Sequence, residues 1–569
     1  MERTIAIGHQ NFETVRINNY FYIDKTEFIR EWWNSGDIVT LITRPRRFGK
    51  TLNMSMTQQF FSVEYADRPD LFEGLSIWEN PGYEEFRKLQ GTYPVIALSF
   101  AGIKENTFLQ ARENICRIIE GLYNRYDFLL ESNLLNEKEK NYYLSVSSAM
   151  NDSTAAVSLQ AMSDYLSRYY GKKTIILLDE YDTPMQEAYV NGYWEELTGF
   201  TRSLFNSTFK TNPYLERALM TGITRVSRES VFSDLNNLRV VTTTSGMYED
   251  KFGFTEREVF EALNEYRLSD RKEEVKKWYD GFVFGSQKDM YNPWSIINYL
   301  KEKHADTYWA NTSSNQLAAK LLREGSADLK ESFEGLLLGN TVETEIDEQI
   351  VYDQLDIDQN AIWSLFLASG YLKVRKVIIR NSQEEWSKVY QLELTNFEVK
   401  LMFRSMIKSW FTFSGSNYNE FIKALLRNDV EAMNVYMNRV ALNTFSYFDT
   451  SAGRSLEEPE RFYHGFVLGL MVELADRYRL VSNRESGFGR YDVMLIPKIQ
   501  NLDGIVLEFK VFNPHREKSL EETVQNALDQ INEKQYAQEL LQQGISEERI
   551  RKYGFAFRGK KVLIGKQEK

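Results

Sequence analysis

Glu508 and Lys510 interrupt the apolar run Ile505-Val506-Leu507-Glu508-Phe509-Lys510-Val511-Phe512, and Asp492 lies just upstream in Tyr491-Asp492-Val493-Met494-Leu495-Ile496-Pro497. A charge in a dry interior costs several kcal/mol, so it is kept for a metal, for catalysis or for a tight ion pair. Strand alternation puts Glu508 and Lys510 on one face beside Val506 and Phe512, and leaves Ile505, Leu507, Phe509 and Val511 for the opposite layer. Mg²⁺ takes oxygen ligands, so Asp492, Glu508 and the Phe509 carbonyl can hold one or two ions, with Glu473 as a further ligand. Such ions polarise a phosphodiester and acidify a water. Lys510 beside them lowers the pKa of that water or stabilises a pentavalent phosphorane. Gln530 is in position to orient the water or the phosphate. A structural Glu508–Lys510 ion pair is the competing reading, and it leaves Asp492 and Glu473 unexplained.

A second set of residues suits phosphate chemistry. Asp37 to Thr43 reads as a short apolar strand, followed by Arg44-Pro45-Arg46-Arg47-Phe48-Gly49-Lys50-Thr51 and a helical stretch through Phe61. Strand, loop, Gly-Lys-Thr and helix is a P-loop layout. Backbone N–H groups and the helix N-terminus cradle phosphates, Lys50 reaches the β and γ groups, and the Thr51 hydroxyl coordinates Mg²⁺. The usual first glycine is replaced by Arg44. The buried-strand run Thr174-Ile175-Ile176-Leu177-Leu178 ends in Asp179-Glu180, the first acid suited to the Mg²⁺ shell and the second to orienting an attacking water. A further strand, Arg217 to Arg225, ends in polar residues: Thr221 or Thr224 can sense a γ-phosphate, and Arg225 or Arg228 can contact it.

The elements that must position these groups follow from the hydrophobic pattern. Strands alternating with helices, with Tyr93 to Phe100 between the two phosphate motifs, predict a parallel α/β sheet carrying its ligands at the carboxyl ends of the strands. Near the C-terminus a helix from Phe462 to Leu480, a turn at Ser486 to Arg490, two strands and a helix from Leu520 to about Leu541 frame the Glu-x-Lys strand. In the middle, Trp278-Tyr279-Asp280-Gly281 and Tyr291-Asn292-Pro293-Trp294 read as aromatic anchors of a turn-rich segment. Ala361 to Leu367 with the strands through Ile379 and from Lys388 to Leu394 reads as a helix plus β-hairpin, a winged-helix-like module able to touch DNA or to pack.

Composition bounds the rest. The 569 residues, 43% hydrophobic, are enough for about three domains with real cores. One cysteine excludes an intramolecular disulfide and a multi-cysteine zinc site, and four histidines argue against a histidine-rich centre, which fits a reducing cytoplasm. No uncharged apolar run approaches the roughly 20 residues of a membrane span. A net charge of −12 argues against bulk coating of nucleic acid, while Arg44 to Lys50 and the basic tail after Arg549 provide local positive surface.

Taken together, Tyr22-Ile23-Asp24-Lys25-Thr26, the Arg44 to Thr51 loop, Leu178-Asp179-Glu180-Tyr181-Asp182, Trp278-Tyr279-Asp280-Gly281 and Tyr291-Asn292-Pro293-Trp294 resemble the AAA-ATPase-like proteins of bacteria. Tyr463-His464-Gly465-Phe466, Gly489-Arg490-Tyr491-Asp492, Glu508-Phe509-Lys510 and Gln530-Ile531 with Tyr536 resemble the PD-(D/E)XK nuclease domain that accompanies them. The resemblance implies that Arg44 is a family trait, that Arg46 and Arg47 help bind phosphates, and that Asp492, Glu508 and Lys510 are nuclease residues. The expected architecture is a P-loop NTPase domain with a helical extension over 1–330, a mostly helical middle over 331–445, and a restriction-endonuclease-like α/β domain over 446–569. The expected function is ATP-regulated, Mg²⁺-dependent cleavage of DNA by a cytoplasmic protein, free or as a homo-oligomer. Two alternatives stay open: a nucleotide-controlled binding module that does not cut, and a metabolic ATPase with a degenerate tail.

Overall fold

The computed structural model describes residues 2–567 apart from 225–231, 233–234, 311–315, 325–326, 348–354, 356–357, 382–385, 413–418, 445–466, 468–470, 472–473, 475–476, 487–488 and 500–501. The chain forms two compact units. Unit 1 comprises Met1–Ala318 and Glu343–Val399, and unit 2 comprises Ala319–Val342 and Lys400–Lys569. The divisions expected near 330 and 445 both fall inside segments of unit 2.

The sheet of unit 1 contains β1 (Val39–Thr43), β2 (Val95–Ser99), β3 (Thr174–Asp179), β4 (Leu215–Gly222) and β5 (Leu238–Val241). Their order is β2-β3-β4-β1-β5 and every pairing is parallel. β1 and β3 are buried at every position, as the continuous apolar runs of a doubly covered parallel sheet require. β4 lies between the loop strand and the acidic strand. Ile42 pairs with Thr221 and Leu178 with Met220, so the end of β4 reaches both the Arg44 loop and Asp179.

A smaller sheet, β6 (Phe254–Thr255), β7 (Asp280–Phe284) and β8 (Gln287–Tyr291), has the order β6-β8-β7. The helix Glu256–Glu265 starts in a capping box between Thr255 and Glu258. Lys25 Nζ donates to both oxygens of Glu258 at 2.7 Å, and Asp24 accepts from the backbone amides of Thr26 and Ser76 at 2.8 and 2.6 Å. The Tyr22 to Thr26 segment is therefore a staple between elements.

The expected helix plus hairpin is present as the helix Gln359–Ala368 with β10 (Leu372–Asn381) and β11 (Trp386–Leu394), joined by β9 (Val342–Glu345) in the order β10-β11-β9. Ala361 to Leu367 are all buried, so the helix has no exposed face there with which to read a DNA groove.

Unit 2 holds a mixed sheet of β12 (Tyr478–Ser486), β13 (Gly489–Pro497), β14 (Gly504–Val511), β15 (Ile550–Arg558) and β16 (Lys561–Lys566), in that order. β14 and β15 run parallel and the other neighbours are antiparallel. One face packs Ile505, Leu507 and Phe509 against the helices Asn419–Arg427 and Val430–Thr444, and the other packs Val506 against the helix Leu520–Glu533. The alternation expected for β14 is thus realised. Asn434 and Asn438 each accept from one backbone amide of β16 and donate to the carbonyl of the same residue, Ile564 and Val562 respectively. Four residues of helix rise about 6 Å and two of strand about 6.6 Å, so the two carboxamides pair with the edge much as a sixth strand would.

One expected helix lies mostly outside the described residues, and another ends early. Before β12 a helix was expected through Leu480, but β12 begins at Tyr478, where a buried tyrosine followed by an exposed Arg479 starts a two-residue period. The terminal helix stops at Glu533, and Gln535 takes a left-handed φ of 53° before the short helix Gln538–Gln542. That break turns Tyr536 inward, where it is almost fully buried.

Gly554 pairs with Glu508 across β14 and β15 and lies under the Leu520–Glu533 helix. A Cβ there would meet the Val524 carbonyl at 2.7 Å. Gly554→Ala is therefore expected to lower the stability of the protein by about 1–3 kcal/mol through overpacking. Urea unfolding followed by circular dichroism will show a reduced midpoint, and an unchanged midpoint refutes the close approach.

Candidate nucleotide cleft and metal centre

The loop after β1 contains one glycine, and it is shaped from outside. Arg44 is fully buried, and its guanidinium donates to the carbonyls of Thr43 (2.9 Å), Thr242 (2.7 Å), Met247 (3.3 Å) and Tyr248 (3.4 Å), with its cation 4.7 Å from the Phe284 ring centre. Burial pulls its pKa down to about 9, against the pull of Glu249. Arg44 ties β1 to the segment after β5 and is not among the residues that line the cleft described below. The Phe48 ring is buried against Phe282 and Phe284 at 4.8 and 5.2 Å between centroids. Arg47 adopts φ +65° and lies 4.3 Å from the Trp294 ring centre. The Arg46 carbonyl accepts from Asn292 Nδ2 at 3.2 Å and Trp309 Nε1 at 3.1 Å.

Gly49, at φ +78°, precedes the helix Lys50–Phe61. Lys50 Nζ donates to the Arg44 and Pro45 carbonyls at 2.9 Å each. Burial pushes its pKa down, while Glu180, Asp179 and Asp182 pull it up. Thr51 Oγ1 donates to Asp179 Oδ2 at 2.7 Å, and the Thr221 hydroxyl donates to Asp179 Oδ1. Burial raises the Asp179 pKa, and those two hydroxyls oppose the rise. The pairing of Thr51 with Asp179 sets a hydroxyl from the helix after β1 beside the carboxylate that ends β3, a donor set that suits Mg²⁺. Glu180 has φ +49° and accepts from Thr183 Oγ1 at 3.2 Å.

A cleft of about 420 Å³ opens on this loop, lined by Arg46, Arg47, Gly49, Lys50, Thr51 and Glu180 among others, with residues 6–10 and Trp294 on further walls. Its volume falls in the range of small-molecule sites. Arg46 reaches Gln186 Oε1 at 3.2 Å. Thr224 is placed elsewhere: fully buried, it donates through its hydroxyl and its amide to Asp182 Oδ2, both at 2.9 Å. Thr221 is likewise committed to Asp179. Arg225 and Arg228 lie outside the described residues. Asn292, Trp294 and Trp309 escaped the sequence reading, which took the Tyr291 to Trp294 motif as packing. An aromatic motif that ends in Asn-Pro-Trp, an N-cap followed by a cation-stacking ring, was the available signal.

In unit 2 the β13–β14 register pairs Val493 with Leu507, so Asp492 and Glu508 are opposite at the next step, just beyond the ladder's last pair. Asp492 Oδ2 accepts the Phe509 amide at 2.8 Å. Opposed residues of an antiparallel pair share a face, so the two carboxyl groups belong to one face of the sheet. Glu508 is 1% exposed, with Lys510 Nζ 3.5 Å from its Oε1. Gln530 Nε2 donates to that same oxygen and to Tyr536 Oη at 3.1 Å. Burial pushes the Tyr536 pKa up to about 12, with Glu508 and Asp492 adding to the rise, so both acids act on one hydroxyl. Among the described residues no cluster of three His, Cys, Asp or Glu side chains is positioned around a metal. Glu473 lies outside the described residues.

Residues 6–232 match the family described as Predicted AAA-ATPase, and residues 458–567 match the PD-(D/E)XK nuclease superfamily. An AAA-ATPase-like domain and a PD-(D/E)XK nuclease-like domain are thus present in one chain. A bacterial protein from Azotobacter chroococcum mcd 1, "Uncharacterized protein in vnfD 5'region", is 23% identical over 400 residues, covering 70% of this chain and 68% of its own. No helix among the described residues is long and apolar enough to cross a membrane.

Glu398, at the start of the helix Phe397–Thr412, is buried and accepts from Ser295 Oγ (2.8 Å) and the backbone amides of Trp309 (2.6 Å) and Ala310 (3.3 Å). Burial raises its pKa to about 7, with Asp306 adding to the rise and those three donors opposing it. Its folded pKa is above its unfolded value near 4.5, so between those values the folded state holds the extra proton. Stability from this group is present below pH 4.5 and is lost as pH rises to 7. Glu398→Gln is expected to flatten that part of the thermal-stability profile, and a slope unchanged in the variant refutes the assignment.

Proposed function

We propose that this chain is an ATP-binding, Mg²⁺-dependent nuclease that hydrolyses phosphodiester bonds of DNA, with nucleotide occupancy governing cleavage. The observation that carries the reading is the opposition of Asp492 and Glu508 across β13 and β14, with Lys510 on the same face and Gln530 bound to Glu508. Two carboxylates and the Phe509 carbonyl, on the strand edge whose amide meets Asp492, are hard oxygen donors of the kind Mg²⁺ takes. When bound, the ion would polarise the scissile phosphate and acidify a water. Lys510 contributes positive charge at the phosphorane, and Gln530 and Tyr536 fix the orientation of Glu508.

In unit 1, Lys50, Arg46, Arg47 and the amides from Arg47 to Thr51 would hold the nucleotide phosphates, with Thr51 and Asp179 as ligands of their Mg²⁺ and Glu180 as the residue that orients water. Thr224 is a support of the Asp182 network in this reading. DNA is the inferred substrate, and cytoplasm the inferred compartment. The alternative, a nucleotide-controlled binding module without cleavage, is favoured by one observation: Glu508 is met by Lys510 and Gln530, as in a structural ion pair.

The test incubates the full chain with single-stranded DNA, double-stranded DNA and RNA, with and without Mg²⁺ and ATP. Asp492→Ala and Lys510→Ala are each expected to slow cleavage by about 10²-fold or more, the scale of losing one charge-stabilising group, and chelation of Mg²⁺ to stop it. Lys50→Ala is expected to abolish the ATP effect while leaving Mg²⁺-dependent cutting measurable. Cleavage that survives both C-terminal substitutions sinks the nuclease reading. Binding without cutting, unaffected by metal, supports the alternative.

A further inference from the structure

The Arg46–Arg47 peptide is held from behind. Its carbonyl accepts from Asn292 Nδ2 and Trp309 Nε1, residues more than 240 positions along the chain. A trans peptide is planar, and its C=O and N–H point in opposite directions. No peptide bond here is cis. Fixing the Arg46 carbonyl towards Asn292 and Trp309 therefore aims the Arg47 amide the other way. Arg46 and Arg47 line the cleft, and neither donor is among its lining residues: Trp309 lines a separate small cavity instead. The Arg47 amide, aimed away from both donors, is therefore the half of this peptide available to the cleft.

This peptide is also where the loop carries strain. Arg47 has φ +65°, a region that costs a residue with a side chain on the order of 1 kcal/mol or more and that glycine occupies freely. A loop with glycine there needs no external hold. Here the conformation must be imposed, and two hydrogen bonds to one carbonyl, together with the Arg47–Trp294 stack, impose it. Trp309 is itself fixed: Glu398 accepts its backbone amide and that of Ala310, and its ring packs 5.6 Å from Phe282 and 5.9 Å from Tyr371.

We infer that Trp309 and Asn292, with Glu398 behind them, are positioning residues that hold the Arg47 amide ready to donate to a phosphate oxygen of the bound nucleotide. The inference rests on the reading of the cleft as a nucleotide site and adds to it the means by which a loop poor in glycine is preorganised. None of the three residues touches the phosphate. Each acts through the Arg46–Arg47 peptide.

Trp309→Phe keeps a ring among Phe282 and Tyr371 and removes the N–H. The full chain, Trp309→Phe, Asn292→Asp and Lys50→Ala are compared by calorimetric titration with Mg-ATP at pH 7, at a temperature well below each melting transition. The dissociation constant is expected to rise about 3- to 10-fold in Trp309→Phe, the worth of one hydrogen bond, while the smaller buried ring lowers its melting temperature. Asn292→Asp keeps the oxygen that caps the Trp294 amide, removes the donor to Arg46 and is expected to weaken binding in the same direction. Binding unchanged in both folded variants overturns the positioning role alone. If the unaltered chain does not bind Mg-ATP, or Lys50→Ala binds it equally well, the nucleotide reading falls and the positioning role falls with it.

Discussion

The buried guanidinium of Arg44 is the constraint on which the loop after β1 depends. A desolvated cation is tolerated only when most of its donors are met, and Arg44 meets four backbone carbonyls through its two terminal nitrogens and lies against an aromatic face, leaving its buried Nε unmet. Three of those carbonyls belong to residues 242–248, so the charge can be satisfied only if the end of β1 and the segment after β5 are in place together. Once Arg44 is fixed, its own carbonyl is in place for Lys50, and Phe48 falls into the pocket of Phe282 and Phe284. The loop gets its shape from tertiary contacts where a glycine-rich loop would get it from local freedom.

The same logic, turned to a sheet, builds the C-terminal centre. Strand alternation puts Glu508 and Lys510 on one face, and the β13–β14 register brings Asp492 opposite Glu508. Neither would matter if the covering helix stood further off. Gly554, directly beside Glu508 in the parallel ladder, removes the side chain that would separate sheet and helix, and Gln530 then reaches the Glu508 carboxylate. The left-handed turn at Gln535 completes the arrangement by folding Tyr536 back onto Gln530.

Much of this was legible in the sequence, and the line between legible and hidden is a physical one. An apolar run ending in acids announced β3 and one interrupted by Glu508 and Lys510 announced β14, because burial on both faces leaves a signal in consecutive residues. The helix plus hairpin around residues 359–394 was equally clear from its periodicity. Hidden were the relations that depend on distant pairing. Nothing near Arg46 announces Trp309 or Asn292, and nothing near Trp309 announces Glu398, 89 residues away. Thr224 looked like a phosphate sensor because it ends a strand, yet its partner is Asp182, a residue that pattern alone assigns to the loop after the acidic pair. The broken terminal helix was missed because a left-handed Gln535 has no compositional mark.

The buried acids sort themselves by the kind of donor that holds them. Asp182 and Glu398 are held largely by backbone amides, from Ile223 and Thr224 in one case and Trp309 and Ala310 in the other. Backbone donors are fixed by the fold, so these two carboxylates are spent on holding segments in place. Asp179 is held by two threonine hydroxyls, and Glu508 by a carboxamide with a lysine ammonium at 3.5 Å. A hydroxyl can rotate and present its lone pairs instead of its proton. At an acid held in that way the partner can turn and become a second oxygen ligand when a cation arrives. Thr51 and Thr221 have that freedom at Asp179, whereas the amides at Asp182 do not. The distinction separates an acid suited to a metal from an acid suited to a scaffold, although the two stand three residues apart on the same segment of chain.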